Sequence, residues 1–152
     1  MTSDPERSRK VISHYLNKNH VVALCTSGNI NGEPDLWCAN CFYLFDPQAM
    51  GLIMMSQPHT RHCQLALSSP QVAGTIAAQT KNVALIQGVQ FRGQLQLLAG
   101  EDAADAKSRY VQRFPAARLL SAPLWLLRLD EIKMTDNKLG FGKKFYWQRE
   151  YD

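Results

Sequence analysis

The sequence predicts a mainly β protein of the α+β class: an antiparallel barrel of about six strands with helices at its periphery. Three observations lead there. From Val89 to Leu97 the residues alternate strictly, with Gln90, Arg92, Gln94 and Gln96 on one parity and Val, Phe, Gly, Leu and Leu on the other. That is the mark of a half-exposed antiparallel strand. Short apolar runs recur between turn residues along the chain, and helical spacing appears only at the start, in the middle and before the last strands.

Taken in order, Asp4-Pro5 starts a helix, a cap residue followed by proline at the first helical position. Val11, Ile12, Tyr15 and Leu16 follow at helical spacing to Asn19. His20–Thr26 reads as a short buried strand stopped by the turn-rich SGNINGEP. Leu36–Phe45 is apolar on both parities, so it is expected to be covered on both faces, with Asn40 as its polar interruption. Asp46-Pro47-Gln48 turns the chain into an apolar strand, Leu52 to Met55, which runs into a short helix beginning near Pro58. Ser68-Ser69-Pro70 ends that helix. Val72–Ala78 is the next strand, where Gly74 marks a close approach by another group.

The long strand signal covers Val83–Leu98. Carried backwards, its inward parity holds Val83, Leu85 and Gln87, unless a bulge at Gly88 turns Gln87 outward. Asp102 caps a helix in which Ala106, Tyr110 and Phe114 recur, ending at Pro115, and Ala116–Leu120 is a second short helical piece. Leu124–Lys133 and Phe141–Trp147 are the closing strands, with MTDNKLG as the turn between them.

A chain of 152 residues with 45% hydrophobic and 20% charged residues is expected to form one domain over residues 1–152. The net charge of +4 favours anionic ligands but falls short of a polybasic footprint, so no nucleic-acid partner is expected. The N-terminus, MTSDPERSRK, is polar with no apolar core behind it, and no apolar run approaches spanning length. The expected location is the cytoplasm, with no membrane partner. The cysteines (Cys25, Cys38, Cys41, Cys63) sit in apolar stretches, as buried thiols do in a reducing compartment.

The polar chemistry gathers where the Leu52–Met55 strand meets its helix. Ser56 and Thr60 bring hydroxyls, Arg61 brings a permanent cation, and a helix start brings free N–H groups. Together they suit an anion, phosphate above all, and the alternative is an ordinary capped helix with an exposed arginine. Cys38-x-x-Cys41 and His59-x-x-His62 invite a metal reading, but residues three apart on a strand face opposite ways, so no metal site is assigned. No G-x-S-x-G elbow is present and no general base stands out, so no catalytic residue is assigned.

GFGKKFYW mixes aromatics with cations, and it is either a core strand with solvent-facing lysines or one that sets Lys143 or Lys144 against a ligand phosphate. Asn40 and Gln87 read as buried carboxamides. Each needs partners, because a bare one costs about 1–3 kcal/mol. Those partners lie either in the core or on a flat heterocycle such as a flavin's pyrimidine edge.

The segments WCANCFYLFD, TRH, VAGT, VALIQGVQFRG, RFPAARLLSAP and RLDEIKMTDNKLGFGKK cover most of residues 10–147. In this order of elements they resemble the pyridoxamine 5′-phosphate oxidase-like FMN-binding split-barrel superfamily. Within it they are similar to the YhbP group of small bacterial proteins, which has no assigned reaction. The resemblance implies a six-stranded antiparallel Greek-key split barrel and a homodimer with two FMN sites at the subunit interface. It also implies roles. Trp37–Phe42, with Trp37, Cys38, Ala39 and Asn40 as its cofactor-binding residues, match the first flavin-contacting strand, Met55 and Ser56 the end of the next, and Thr60-Arg61 the phosphate-binding pair. Gln87 lies near the family's glutamine, and the leading reading takes Lys143 and Lys144 from the partner chain.

Two departures matter. The oxidases' basic pair is Thr60-Arg61 here, with one cation, and their C-terminal arginine-histidine signature is replaced by LGFGKKFYW. Oxidation of pyridoxamine phosphate is therefore not implied. The leading reading is an FMN-dependent oxidoreductase of unknown substrate. The alternatives are a non-catalytic module that binds a flavin or haem, and a structural or regulatory dimer with a degenerate site.

Overall fold

Asp4 accepts a hydrogen bond from the Glu6 N–H and Pro5 opens α1 (Pro5–Lys18) in the computed structural model. The structure describes residues 4–150, so the first three residues of the polar N-terminal segment and the last two of the chain lie outside it. Ile12, Tyr15 and Leu16 of α1 are buried, as their spacing predicts.

β1 (Val21–Ile30) is longer than expected. SGNI stays in the strand, and the turn is the two-residue Asn31-Gly32, with φ of 53° and 80°. Those paired positive values are what a tight hairpin twisting with its strands requires. β2 (Glu33–Asp46) therefore starts earlier than Leu36 and pairs with β1 along its first ten residues, from Ile30↔Glu33 to Val21↔Phe42.

β3 (Gly51–Met55) follows, then α2 (Arg61–Ser68), β4 (Gln71–Ile76), β5 (Gln87–Leu97), α3 (Gly100–Arg113), β6 (Leu124–Asp136) and β7 (Lys144–Gln148). The seven strands of the described residues, one more than expected, form an antiparallel sheet in the order β3-β2-β1-β4-β5-β6-β7. Closure comes from β6. Its first residues pair with β3 (Leu52↔Leu127), its last with β7 (Thr135↔Lys144), and β5 runs along its other edge. Six strands thus close a ring, and the seventh continues from the edge that β3 leaves free.

The alternation in β5 behaves as predicted at its centre. Val89, Phe91 and Leu95 are buried, whereas Gln90, Arg92 and Gln96 face out. Gly74 is a close approach from within: an added methyl would meet the Phe91 ring at 2.6 Å. The core joins Leu24, Tyr43, Leu52, Met54, Trp125, Leu127, Ile132 and Phe145 with the buried face of α1. A smaller cluster around Ile53, Tyr110 and Leu124 seats α3.

Several expectations are corrected. α2 starts at Arg61 with Thr60 in the cap position, and Pro58 lies in the preceding turn. Residues 83–85 form a single 3₁₀ turn with Val83 and Leu85 exposed, because the strand begins only at Gln87. The irregularity in β5 falls between Arg92 and Gly93, not at Gly88. Ala99 precedes α3, so Asp102 sits in its first turn rather than at its cap. The second short helical piece is a 3₁₀ turn, Pro115–Leu119.

β2 is not covered on both faces. Leu36 is 67% and Phe42 56% exposed, so its outward row lies open in the single chain. The cysteines also depart from expectation: Cys63 is buried, Cys25 and Cys41 are half-buried and Cys38 is exposed. Among the described residues, no helix is long and apolar enough to cross a membrane.

Candidate functional site

Beyond the barrel, the β1–β2 hairpin continues as an arm that lies against α2. Gly28 makes the approach possible, since a side chain there would run into Ser68, and the Asn29 N–H donates to Ser68 Oγ at 2.9 Å. Asp35 and Trp37, two apart on β2, share the face of the arm that meets Arg61. Arg61 donates from Nε and Nη2 to the two Asp35 carboxylate oxygens, both at 2.7 Å. Its guanidinium carbon stands 3.8 Å from the centroid of the Trp37 ring. The cation is therefore forked onto a carboxylate and stacked on an aromatic face, which suits arginine and not lysine. Hydrogen bonding to this guanidinium holds the Asp35 carboxyl below its ordinary range.

The other side of the junction is built around His62. Its Nε2 lies 2.9 Å from Ser56 Oγ and 3.4 Å from Thr60 Oγ1. Thr60 does not cap α2 with its hydroxyl, which donates instead to the Gln57 carbonyl at 2.8 Å. Ser56 is clamped through its backbone: its N–H donates to the Pro123 carbonyl, and its carbonyl accepts from the Trp125 indole at 2.9 Å. The junction thus offers a planar cation, two hydroxyls, an imidazole and the start of a helix. The Arg61 fork, the Ser56 hydroxyl and the helix start are the groups that suit a small anion in the place of the Asp35 carboxylate, since the Thr60 O–H is already given to Gln57.

Of the residues singled out from the sequence, Trp37, Ser56, Thr60 and Arg61 come together here. Met55 ends β3 against the α3 cluster, and Ala39 is half-buried opposite Leu24. Cys38 and Asn40 lie on the opposite, outward face of β2. Asn40 is exposed, not a buried carboxamide, because nothing in the single chain packs on that face. Gln87 is half-buried at the far end of β5, where its amide donates to the buried Asp136 at 2.9 Å. The Tyr15 hydroxyl closes the same end, donating to the Gln87 carbonyl and accepting from the Ala78 N–H. Lys144 donates to Thr135 Oγ1, and Lys143 extends over Phe145. The residues expected around a phosphate therefore lie at one junction within the chain, and those expected along a ring do not gather with them.

Two members of the cluster, Asp35 and His62, are not apparent as anion-site residues from the sequence. The signal for Asp35 is Asn31-Gly32, which fixes the register that brings it beside Trp37. His62 is open to a direct test. Burial lowers its pKa from the ordinary value of 6.5, so the fold resists a proton that the unfolded chain accepts. Its contribution to stability is complete above that ordinary value and is lost as the pH falls through the lower folded-state value. Melting curves between about pH 8 and about pH 5 are expected to show a falling Tm, with a shallower fall in His62→Gln.

Comparison with solved structures defines the class. The chain matches the heme binding protein from Mycobacterium smegmatis with a TM-score of 0.73 and 16% identity, covering 97% of this chain and 60% of that one. It matches HutZ, the heme storage protein from Vibrio cholerae, at 0.60 and 15%, covering 86% and 92%. A Listeria innocua protein provisionally assigned as a pyridoxamine 5′-phosphate oxidase matches at 0.63 and 14%, covering 83% and 96%. The fold is an antiparallel split barrel, shared with these proteins.

No family model matches the chain. A UPF0306 protein from Yersinia pseudotuberculosis (serotype O:3, strain YPIII) is 51% identical over 139 residues, 91% of this chain and 92% of that protein. The chain belongs to the UPF0306 family.

Proposed function

We propose that this chain is a cofactor-binding split-barrel protein that holds FMN by its phosphate, in a cytoplasmic homodimer, and acts as a flavin-dependent oxidoreductase on a small substrate. The observation that carries the reading is the Arg61 fork, stacked on Trp37 beside the Ser56 and Thr60 hydroxyls, with an intramolecular carboxylate in the place a phosphate would take. Bound FMN supplies the electron transfer. This chain's part is to hold the phosphate at Arg61, Ser56 and Thr60 and to lay the backbone of residues 37–42 along the ring. Its similarity to the YhbP group, on segments such as WCANCFYLFD and VALIQGVQFRG, belongs to the same reading.

The open row of β2 supports the dimer. Leu36, Phe42 and the neighbouring Val21 of β1 leave an apolar strip that a second copy would cover, bringing Lys143 and Lys144 within reach of the ligand. Haem is the second reading. It is favoured by the two haem proteins of the same fold, and a propionate carboxylate suits the Arg61 fork as well as a phosphate does.

The deciding experiment is the visible spectrum of purified protein after addition of FMN, or separately haem, and removal of the excess. A retained flavin spectrum is the expected result. Retention of haem alone moves the assignment to the second reading. A protein that keeps neither, and whose Tm ignores both, overturns the cofactor role and leaves a structural dimer with a degenerate site.

A further inference from the structure

Cys25 and Cys38 occupy one rung of the β1–β2 hairpin. The two-residue turn makes Ile30–Glu33 a hydrogen-bonded pair, and the two kinds of pair alternate from there. Counted along the register, Asn29–Pro34, Ser27–Leu36 and Cys25–Cys38 are the non-hydrogen-bonded rungs. Pro34, which has no N–H to give, falls on such a rung, in agreement with the count. On these rungs the opposed Cα atoms lie about 4.5 Å apart, inside the span a disulfide bridges.

Both side chains leave the outward face of the hairpin, away from Asp35 and Trp37, and the two sulfurs are 2.7 Å apart. On the other side of Cys25, its β4 neighbour is the small Ala73. A cleft of about 270 Å³ opens there, lined by Cys25, Ser27, Leu36, Ala73 and Arg92.

We propose that Cys25 and Cys38 form a peroxide-responsive dithiol that closes to a reversible disulfide within one chain, across the β1–β2 hairpin. Cys38 reacts first. It is the exposed sulfur, whereas the hydrogen bond between Cys25 and Cys38, then burial, push the Cys25 thiol up to about 11. The Cys38 thiolate attacks one oxygen of hydrogen peroxide, the O–O bond breaks, and the departing hydroxide leaves as water with the thiol's proton. Cys38 is then a sulfenic acid. Cys25 Sγ attacks the Cys38 sulfur, the S–O bond breaks as the S–S bond forms, and the displaced hydroxide takes the Cys25 proton as a second water. The two thiols give up two electrons, which reduce the peroxide, and a small-molecule thiol reverses the step.

Both sulfurs belong to one hairpin and the oxidant is small, so the reaction needs no partner chain. It uses neither Arg61 nor the hydroxyls beside it, but Cys38 lies on the strand that the cofactor reading lays along the ring and on the row that a second copy would cover, so the reaction belongs to the protein with that row open.

The test is thiol counting and peptide mapping of the reduced full chain after brief treatment with hydrogen peroxide in the presence of dimedone. The expected result is loss of two of the four thiols, a linked Cys25–Cys38 peptide without a dimedone adduct, and full recovery with dithiothreitol. Cys25→Ser is expected to accumulate a dimedone-labelled sulfenic acid on Cys38. The proposal is overturned if the wild-type chain keeps its four thiols or carries dimedone on Cys38. A bridge to Cys41, to Cys63 or between two chains overturns it equally. The wild-type peptide map is decisive by itself, whatever the folding of the variant.

Discussion

Trp125→Ala is expected to destabilise the fold by about 3–5 kcal/mol, the cost of emptying a large buried aromatic site. Trp125 is 1% exposed and lies on β6 where that strand meets β3 on one side and β5 on the other. Its indole also donates to the Ser56 carbonyl, so it fastens the strand end that enters the candidate site. Trp125→Phe separates the two roles. It keeps most of the packing but leaves that carbonyl without its donor, a loss of about 1 kcal/mol. Urea unfolding midpoints check both values. If the alanine variant loses no more than the phenylalanine one, the ring does not support barrel closure.

The second large effect concerns ligand affinity and has opposite signs at two residues that touch. Arg61→Ala removes the one cation of the cluster and is expected to weaken FMN binding by about tenfold or more. Asp35→Asn removes the carboxylate that now holds the Arg61 fork, together with the negative charge that would repel a phosphate. It is expected to tighten binding by a few-fold, and less so at high salt because Arg61 is exposed and Asp35 is only half-buried. Fluorescence titration of FMN into the two variants gives the answer. Weaker binding in both would make Asp35 a positioning residue for Arg61, not its competitor.

The order of elements and the buried face of β5 are legible from the sequence because alternation and helical spacing are local signals. So is the gathering of Ser56, Thr60 and Arg61 at one strand-to-helix junction, because they lie within six residues of one another. The limits are equally physical. SGNINGEP is dense in serine, glycine, asparagine and proline, so it reads as one loop, although Asn31-Gly32 alone does the turning and the rest pairs as strand. Reading it as a loop hides Asp35, which reaches Arg61 only once the arm is extended.

Val83 and Leu85 continue the apolar parity of β5, yet they lie in a 3₁₀ turn. Parity does not report where pairing begins. The outward row of β2 has the composition of a buried strand, which a single chain leaves open. Gln87 looks like a ligand reader because its partner Asp136 is forty-nine residues away.

The shared edge of β6 bears on how the chain is made. β3 acquires its first partner, β2, as soon as it leaves the ribosome, but its other edge waits for Leu124–Arg128. Until those residues emerge, the nascent chain carries an apolar strand with an unpaired side, the kind of template on which neighbouring nascent chains associate. Closure is therefore a late step that waits for Leu124–Arg128. β3 is five residues long, which keeps the open edge short while it waits.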